Sequence, residues 1–362
     1  MRKPIFTGVV AVAASLALVP LAIADSTGLG NSNAAASASY WTPERYASAK
    51  PYPLPNPTGP VSQEAQAAPS GPSHSAPGQP PTVKVAPNYA NVLFVPRAAG
   101  VEPQAFGTSG GLFTSARLSP NAAAIHDTKY PNSVNGQLFF SDDGSNFVCS
   151  GTVGRFRIVF TAGHCVSDGR GHFHSGRNWR FVPSIRGGVG PFGTFNWVFV
   201  TVDNRWHFGG GGVPNAGDNA WLEFADKGGA RIGSITGFSG FFTGAFSNHV
   251  TAIGYPCNLD NCSIMHRNDA QAFRFTSPNS VEIGSDMRGG ASGGGWFENY
   301  GEAAAGQNTA CTQFNCRNAW IASTSYGPIS TSPQYLGASR PDGTWFNILN
   351  GSNVCGRRAG NC

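Results

Sequence analysis

The sequence predicts an all-β fold built from two six-stranded antiparallel β-barrels. Residues 118–362 hold short runs of β-forming residues, and Gly, Asn and Pro separate these runs at close intervals. This stretch has the length of one double barrel, with a first barrel over about 118–226 and a second over about 227–350. The region before it is rich in Pro, Ala and Ser, a composition that cannot form a core of its own.

The N-terminal region indicates export followed by a pro-region. Two basic residues precede an apolar stretch with an Ala-x-Ala end, which is the pattern of a signal peptide over residues 1–24. Residues 25–117 are then a propeptide or, alternatively, a disordered linker, with Arg97 and Arg117 as candidate processing points. No later stretch has the apolar length of a membrane span, so we expect a soluble, secreted, extracellular product.

Strands of the first barrel are expected where β-branched and aromatic residues cluster between turn residues. The candidates are residues 136–140, 147–153, 157–161, 179–183, 195–201 and 220–224. Asp142-Asp143-Gly144-Ser145 separates the first two runs, and an Asp-Gly pair at this position is typical of a two-residue hairpin turn.

Six further runs predict the second barrel, and we expect no amphipathic helix of useful length. These runs are residues 231–236, 249–256, 272–276, 280–283, 292–297 and 319–326. Large aromatic residues in such runs are more typical of a core than of a substrate platform. On this basis we assign to the core Trp179, Trp197, Trp206, Trp221, Trp296 and Trp320.

The cysteines indicate disulfides formed in an oxidising compartment. All eight lie beyond the signal peptide, and local pairing gives Cys149–Cys165, Cys257–Cys262, Cys311–Cys316 and Cys355–Cys362, although other pairings stay open. Zinc binding is the alternative use of cysteine. No Cys-x-x-Cys pair occurs, and His172 and His174 have no third ligand nearby, so we interpret both as alternating strand-edge residues. We therefore expect no metal site and no obligatory cofactor.

The charge of the chain argues against nucleic acid as a partner. The formal net charge is +5 at pH 7, or +3 without the two basic residues of the signal peptide, and the basic residues form no run. Charged residues make up only 12% of the chain, so Ser, Thr, Asn and Gly must supply the polar surface.

Two motifs place reactive side chains among small residues. In Thr161-Ala162-Gly163-His164-Cys165 a histidine adjoins a cysteine, and a disulfide there would fix the imidazole rotamer for proton transfer. In Gly289-Gly290-Ala291-Ser292-Gly293-Gly294-Gly295 a serine lies between glycines, which leave room for a substrate backbone to reach its hydroxyl.

A carboxylate partner for the histidine has three candidates between the two motifs. Asp218 opens the apolar run 220–224, which reads as a buried strand, whereas Asp203 and Asp226 stand in polar, glycine-rich loops. We therefore choose Asp218 and interpret the other two as solvated loop acids.

These motifs, in this order, resemble those of the chymotrypsin-like serine peptidases. The resemblance implies two barrels of chymotrypsin type, with a His164-Asp218-Ser292 triad in the cleft between them that acts through an acyl-enzyme. It also implies an oxyanion hole made by the backbone N–H groups of Gly290 and Ser292. The expected activity is that of a secreted serine endopeptidase, a monomer acting on proteins or peptides.

The resemblance also implies how substrate is bound. Ser325-Tyr326-Gly327 matches the edge segment with which the family pairs substrate backbone. Asp286 stands six residues before Ser292, where trypsin-like members carry the aspartate that binds Arg or Lys. Arg288 lies close enough in sequence to neutralise it, and the chain is most similar to a bacterial branch that includes glutamyl endopeptidase-like enzymes. Basic and acidic specificity therefore both stay open.

One departure from the family concerns activation. Animal digestive members have an aspartate immediately before the nucleophile, which binds the newly cut N-terminus, whereas this chain has Ala291. If the protein is a zymogen, its pro-region must therefore inhibit by covering the cleft.

Two rival functions belong to other classes. A catalytically inactive binding protein would keep both barrels but lose a triad member, and a glycan-binding β module would expose its tryptophans. Covalent labelling of Ser292 separates an enzyme from both.

Overall fold

The computed structural model describes residues 24–63, 71–96, 106–107, 111–119, 125–244, 249–301, 316–330 and 334–362. The predicted signal peptide, apart from residue 24, lies outside these residues, as do Arg97 and Cys311. Two closed six-stranded antiparallel barrels dominate the fold, so the predicted fold class is confirmed. None of the helices in the described residues is long and apolar enough to cross a membrane.

The elements fall into groups along the chain. The N-terminal region holds β1 (Ser26–Gly30), β2 (Lys50–Pro51), β3 (Ser75–Ala76), β4 (Phe106–Gly107) and β5 (Phe113–Arg117). Next come β6 (Asn135–Asp142), β7 (Ser145–Val153), β8 (Ile158–Thr161), β9 (Arg180–Pro183), β10 (Phe195–Asp203) and β11 (Ala220–Phe224). The last group is β12 (Gly240–Phe242), β13 (His249–Gly254), β14 (His266–Thr276), β15 (Ser280–Gly284), β16 (Gly295–Glu298), β17 (Ala319–Tyr326) and β18 (Tyr335–Ser339). The helices are α1 (Ala34–Tyr40), α2 (Pro43–Ser48), α3 (Asn204–His207), α4 (Ile232–Thr236) and α5 (Gly343–Asn350), with 3-10 turns at Asn132–Val134, Gly163–Cys165, Asp260–Cys262 and Cys355–Arg357.

The first barrel contains all six strands predicted for it. Its strand order is β10-β11-β8-β7-β6-β9, and pairing of β9 with β10 closes the ring. Asp143 and Gly144 join β6 to β7 with φ angles of 44° and 73°, the two positive φ values that a type I′ hairpin turn requires. Trp179, Trp197 and Trp206 are buried in the core of this barrel, as predicted.

The second barrel has the order β13-β16-β17-β18-β15-β14 and closes through pairing of β13 with β14. β18 was not predicted, because Gly337 and Ala338 in its centre weaken the β-type pattern. The predicted strand at residues 292–297 begins only at Gly295, since the glycines before it form a turn in which Gly293 has a φ of 76°.

Two predictions of secondary structure are wrong. Residues 231–236, expected as a strand, form α4, in which Ile232 and Ile235 stand three positions apart and are both buried. The expectation of no useful helix fails at α5, where the Asp342 side chain accepts a hydrogen bond from Trp345 N at 2.9 Å and so caps the helix. Trp345 then packs 4.9 Å from Trp320, centroid to centroid, in the core between the barrels.

The described part of the predicted pro-region lies against the barrels. β1 pairs with β10, and β5 pairs with β14. Trp41 and Tyr46 are buried, and their rings contact Phe139 of β6. Arg117, a candidate processing point, lies in β5 and forms an ion pair with Asp260. The division of the chain into a propeptide or linker and a mature domain stays a prediction.

Three of the four predicted disulfides are present among the described residues. They are Cys149–Cys165, Cys257–Cys262 and Cys355–Cys362. Cys316 is also disulfide-bonded, and Cys311, its predicted partner, lies outside the described residues.

Candidate active site

The histidine motif occupies a short turn that the sequence fixes at both ends. His164 lies in the 3-10 turn after β8, and the neighbouring Cys165 is bonded to Cys149 of β7. The His164 ring packs edge-on against the Trp206 ring, with ring centroids 6.0 Å apart. The two sulfur atoms and the imidazole lie close together, but sulfurs joined as a disulfide offer no thiolate to a metal ion.

Asp218, at the approach to β11, binds the histidine twice. His164 Nδ1 lies 2.9 Å from Asp218 Oδ2, and the His164 backbone N–H donates to Oδ1 at 2.8 Å. Ser325 Oγ donates a third hydrogen bond to Oδ2 at 2.5 Å. The carboxylate is fully buried, and these three donors compensate for its lost hydration.

The two other candidate acids have different partners. Asp203 is buried, not solvated as expected, and it accepts hydrogen bonds from the Arg205 side chain and backbone. Burial raises the pKa of Asp203. Asp226 pairs with Arg157 at 2.6 Å, and this hydrogen bond lowers its pKa.

The serine loop is held by β7. Ser150 N donates to Ser292 O at 2.7 Å, and Ser150 Oγ donates to Gly290 O at 2.8 Å. The carbonyl groups of Gly290 and Ser292 are therefore turned towards the first barrel. Within the part of the chain that the structure describes, the Gly290 and Ser292 N–H groups donate to no other group, so two backbone donors beside the serine are available.

Gly290 is required in this loop for two reasons. Its φ of 94° is one that residues with a side chain rarely adopt. A Cβ atom at this position would also lie 2.5 Å from Cys257 Sγ and 2.6 Å from Tyr255 O. The predicted oxyanion glycine is therefore fixed by its backbone conformation and by the Cys257–Cys262 disulfide behind it.

The structure does not join the serine and the histidine by a hydrogen bond. Ser292 and His164 are both buried, and neither Ser292 Oγ nor His164 Nε2 has a partner within the described residues. Two unpaired polar atoms of this kind are costly to bury, and their pairing with a reactant or with each other would relieve that cost.

The segment predicted to bind substrate backbone serves several purposes. Ser325 holds Asp218, as described above. Tyr326 is buried, and its hydroxyl donates to Glu282 Oε1 at 3.0 Å. Burial raises the pKa of Tyr326, so its phenol stays neutral. Gly327 is the member that pairs with extended chain, because its N–H donates to Pro55 O at 3.0 Å.

Asp286 lies behind the serine loop and is almost fully buried. Its Oδ2 accepts a hydrogen bond from Ser115 Oγ at 2.6 Å, whereas its Oδ1 has no hydrogen-bond partner among the residues that the structure describes. The Arg288 guanidinium donates to the carbonyl groups of Ser285, Met287 and Ser330.

The sequence interpretation missed two residues near the histidine. His174 was assigned to a strand edge. Its Nε2 donates a hydrogen bond to His164 O at 3.0 Å and its Nδ1 lies 3.1 Å from Asp142 Oδ2, so it holds the histidine turn in place. Tyr52, assigned to the pro-region, stacks on His164 with ring centroids 6.3 Å apart. The only sequence signal for Tyr52 is the alternation of proline with larger residues around it.

The comparisons with known proteins concern the fold. No protein-family model matches the chain, and no curated protein matches it. Among solved structures, the thermostable serine protease AL20 from an extremophilic microorganism matches at TM-score 0.50 and 24% identity, over 61% of this chain and 97% of AL20. This chain has a chymotrypsin-like double-barrel fold. The predicted resemblance is thereby confirmed at the level of the fold.

Two further structures were also similar. The protease Anisep from Arthrobacter nicotinovorans matches at TM-score 0.49 and 25% identity, over 61% of this chain and 94% of its own. A Glu endopeptidase matches at TM-score 0.48 and 15% identity, over 68% of this chain and 97% of its own. In the chymotrypsin-like fold of this protein, His164 and Asp218 belong to the first barrel and Ser292 to the second.

Proposed function

We propose that this protein is a secreted serine endopeptidase with His164, Asp218 and Ser292 as its catalytic triad. The observation that carries the proposal is the buried pair of His164 and Asp218, whose Nδ1 and Oδ2 atoms lie 2.9 Å apart. Ser292 stands among glycines, and within the described part of the chain its N–H group and that of Gly290 donate to no other group. A binding function leaves unexplained why His164 Nε2 and Ser292 Oγ are both buried without a hydrogen-bond partner among the described residues.

The chemistry follows from these groups. Ser292 Oγ forms a bond to the substrate carbonyl carbon while its proton moves to His164 Nε2, and Asp218 stabilises the imidazolium through Nδ1. The Gly290 and Ser292 N–H groups stabilise the oxyanion. The C–N bond then breaks as His164 returns the proton to the leaving amine, which gives the acyl-enzyme. Water, deprotonated by His164, attacks the ester and releases the acid and Ser292 Oγ–H.

Asp286 supports a preference for basic side chains. Its Oδ1 is a buried carboxylate oxygen without a hydrogen-bond partner in the described ranges, and an Arg or Lys side chain of a substrate would stabilise it. The Arg288 guanidinium is engaged with backbone carbonyl groups, as described above. We therefore propose cleavage after Arg or Lys. Profiling with a peptide library tests this preference, and cleavage after acidic side chains would contradict it.

Secretion and a zymogen form are parts of the same proposal. The signal-peptide pattern at the N-terminus supports export, and the paired cysteines support an oxidising compartment. The glycan-binding alternative loses its basis, because all eight tryptophans of the chain are buried.

Covalent labelling tests the proposal. A fluorophosphonate probe is incubated with the secreted protein, and mass spectrometry locates the modified residue. We expect labelling at Ser292, and loss of labelling in Ser292→Ala and His164→Ala, because acylation needs the nucleophile and its base. Loss of either group lowers turnover roughly 10⁶-fold in another serine protease.

Ser239→Ala is the matched control. Ser239 lies in Gly237-Phe238-Ser239-Gly240, a second glycine-flanked serine that is buried and has no histidine partner. This variant should label like the wild-type protein. If the folded protein stays unlabelled at Ser292 after prolonged incubation both in its full-length form and after processing of the predicted pro-region, it is a binding protein, and the proposal would be wrong.

A further inference from the structure

Residues 50–55, with the sequence Lys-Pro-Tyr-Pro-Leu-Pro, run across the candidate active site. We call them the cleft segment. Proline occupies every second position, and the side chains alternate in burial: Pro51 and Pro53 are exposed, whereas Leu54 is buried and Tyr52 is partly buried. An extended chain places alternate side chains on opposite faces, so Tyr52 and Leu54 point towards the barrels.

The N-terminal half of the cleft segment contacts the first barrel. β2 pairs in parallel with β7, in the register Lys50 with Phe147 and Pro51 with Val148, and Tyr52 N donates to Val148 O at 3.2 Å. The Tyr52 ring stacks on His164. It also packs against the rings of His174 at 4.8 Å, Phe147 at 5.1 Å and Phe140 at 5.4 Å, centroid to centroid.

The same half reaches the serine loop. A Cβ atom placed on Gly289 would lie 2.9 Å from Pro51 Cβ and 3.7 Å from Tyr52 O. Gly289 immediately precedes Gly290, one of the two proposed oxyanion donors. The cleft segment therefore covers the region between the imidazole and the oxyanion hole, and Ser292 has no exposed surface.

The C-terminal half of the cleft segment contacts the second barrel. Gly327 N donates to Pro55 O at 3.0 Å, and Leu54 Cδ2 lies 3.1 Å from the place that a Cβ atom on Gly327 would occupy. Leu54 packs into the apolar cluster that also contains Met287 and Leu336. The cleft segment is thus anchored by Tyr52 in one barrel and by Leu54 in the other.

The direction of the chain distinguishes this segment from a substrate. His164 must protonate the leaving nitrogen, so the C-terminal half of a substrate departs past His164 and β7, and the acyl half extends from Ser292 along Gly327. In the cleft segment the order is opposite: Lys50 to Tyr52, which come first in the chain, lie beside β7, and Pro55 lies at Gly327.

We propose that the cleft segment is a built-in inhibitor that occupies the active site with the chain polarity opposite to that of a substrate. The inference rests on the proposed function. Cleavage requires a carbonyl oxygen at the N–H groups of Gly290 and Ser292 and, at the same time, the nitrogen of that peptide bond facing His164. In a reversed chain the peptide nitrogen lies on the opposite side of the carbonyl carbon, away from His164, so both conditions cannot be met together. The segment therefore blocks the site without being cleaved.

Two further features favour this role. Proline at alternate positions restricts the free chain to extended conformations, so little entropy is lost when the segment is held in the cleft. Burial, with a smaller effect of nearby Asp142, Asp168 and Asp143, raises the pKa of Tyr52 to about 12, so the ring that covers His164 stays neutral. A neutral aromatic ring excludes water and brings no charge to the imidazole.

The first test compares full-length variants. Tyr52→Ala combined with Leu54→Ala removes both anchors, and the rate of fluorophosphonate labelling at Ser292 should rise at least about tenfold, because the open site becomes the populated one. Asn56→Ala, an exposed position just beyond the segment, is the control and should label at the wild-type rate. Equal rates for the wild-type protein and the double variant would overturn the inference.

The second test examines polarity and does not depend on the behaviour of the wild-type chain. A synthetic peptide of residues 48–58 is added at about 1 mM to the full-length double variant, since the covalent link supplies a millimolar effective concentration in the native chain. We expect the peptide to slow labelling of Ser292. A second peptide carries Pro53→Arg and Pro55→Ala, which places a basic side chain of the proposed specificity before Leu54 and removes the prolines on either side of Leu54.

This second peptide should also inhibit, and it should remain intact in mass spectra. Cleavage between positions 53 and 54 would show binding with substrate polarity and overturn the inference, as would the absence of inhibition by both peptides. If the double variant loses its near-ultraviolet circular dichroism, Leu54→Ala alone replaces it. Failure of every form to label at Ser292 would instead refute the proposed function, so the two failures are distinguishable.

Discussion

At the scale of single residues, Asp218 is the centre of the candidate site. Three donors meet its carboxylate: the His164 backbone N–H, His164 Nδ1 and Ser325 Oγ. The last two share Oδ2, so the Ser325 hydroxyl helps to set which way the carboxylate faces the imidazole. Ser325 does not touch the reacting atoms, and we regard it as a positioning residue.

Ser325→Ala tests this role. Loss of one hydrogen bond to a buried carboxylate, worth about 1.5 to 3 kcal/mol, should lower kcat roughly tenfold or more on a peptide substrate and leave KM nearly unchanged, because the carboxylate loses its fixed orientation. Ser323→Ala is the control, since Ser323 is buried on the same strand and its hydroxyl forms no hydrogen bond with any described residue. A change in KM alone, or equal losses in both variants, would contradict the assignment.

The residues found from the sequence are those with a local signal. His164 adjoins a cysteine, Ser292 lies among glycines, and Asp218 opens an apolar run, so each could be singled out without knowledge of the fold. Tyr52 and His174 could not be found in this way. Tyr52 contacts a ring more than a hundred residues away in the chain, and His174 owes its position to a hydrogen bond with Asp142. A histidine or a tyrosine in a loop carries no such information by itself.

At the scale of elements, the serine loop depends on its backbone more than on its side chains. Ser150 of β7 holds the carbonyl groups of Gly290 and Ser292, and the resulting turn leaves their N–H groups free. The loop of the second barrel is thus shaped by a strand of the first barrel.

Gly290→Ala should therefore affect both stability and catalysis. The positive φ and the contacts with Cys257 and Tyr255 predict a loss of about 1 to 3 kcal/mol or more in the free energy of unfolding. If the loop rearranges to avoid them, one oxyanion donor is lost, which lowers kcat by roughly 10² to 10³. Denaturant unfolding and fluorophosphonate labelling of Ser292 measure the two effects.

Gly210→Ala separates the two causes of this effect. Gly210 has a φ of 81° but no neighbour within 4 Å of an added Cβ atom, so its replacement carries the backbone strain without the contacts. The Gly210→Ala variant should lose less free energy of unfolding than Gly290→Ala and should keep the wild-type rate of labelling at Ser292. Similar labelling of Gly290→Ala and the wild-type protein would contradict the role of the loop.

The strands of the first barrel were predicted from their runs of β-branched and aromatic residues, whereas two elements further along the chain, α4 and β18, were not. β11 was predicted at its observed bounds, whereas α4 was assigned as a strand because Ile and Thr favour strands in general. In the structure the two isoleucines of α4 are buried on one helical face, and Gly237 ends the helix with a φ of 76°. Tertiary packing here overrides the local preference.

At the scale of the whole molecule, the N-terminal region connects the two barrels. β1 extends the first barrel, β5 extends the second, and the cleft segment lies between them. The composition of this region predicted that it has no core of its own, and its buried residues pack on the barrels instead. The sequence could not predict those contacts, because they depend on surfaces that form only when the barrels have folded.

Asp260 joins this region to the second barrel. It accepts hydrogen bonds from His266 Nε2 of β14 at 2.8 Å and from Arg117 Nε of β5 at 2.6 Å. The hydrogen bond from His266, followed by that from Arg117, holds the pKa of Asp260 well below its ordinary value of 3.8. Loss of this carboxylate charge would weaken the attachment of β5 to the barrel.

Acid should therefore destabilise the protein in part through Asp260. Because the pKa is lower in the folded than in the unfolded chain, the unfolded chain binds the proton first, so the stabilisation is complete above about pH 4 and declines as the pH falls further. Asp260→Asn should be less stable than the wild-type protein at pH 7 and should lose less free energy of unfolding between pH 6 and pH 3. Asp143→Asn, in the exposed hairpin turn, is the control and should follow the wild-type profile. Denaturant unfolding at each pH measures these values, and parallel profiles for Asp260→Asn and the wild-type protein would show that this ion pair does not contribute to acid sensitivity.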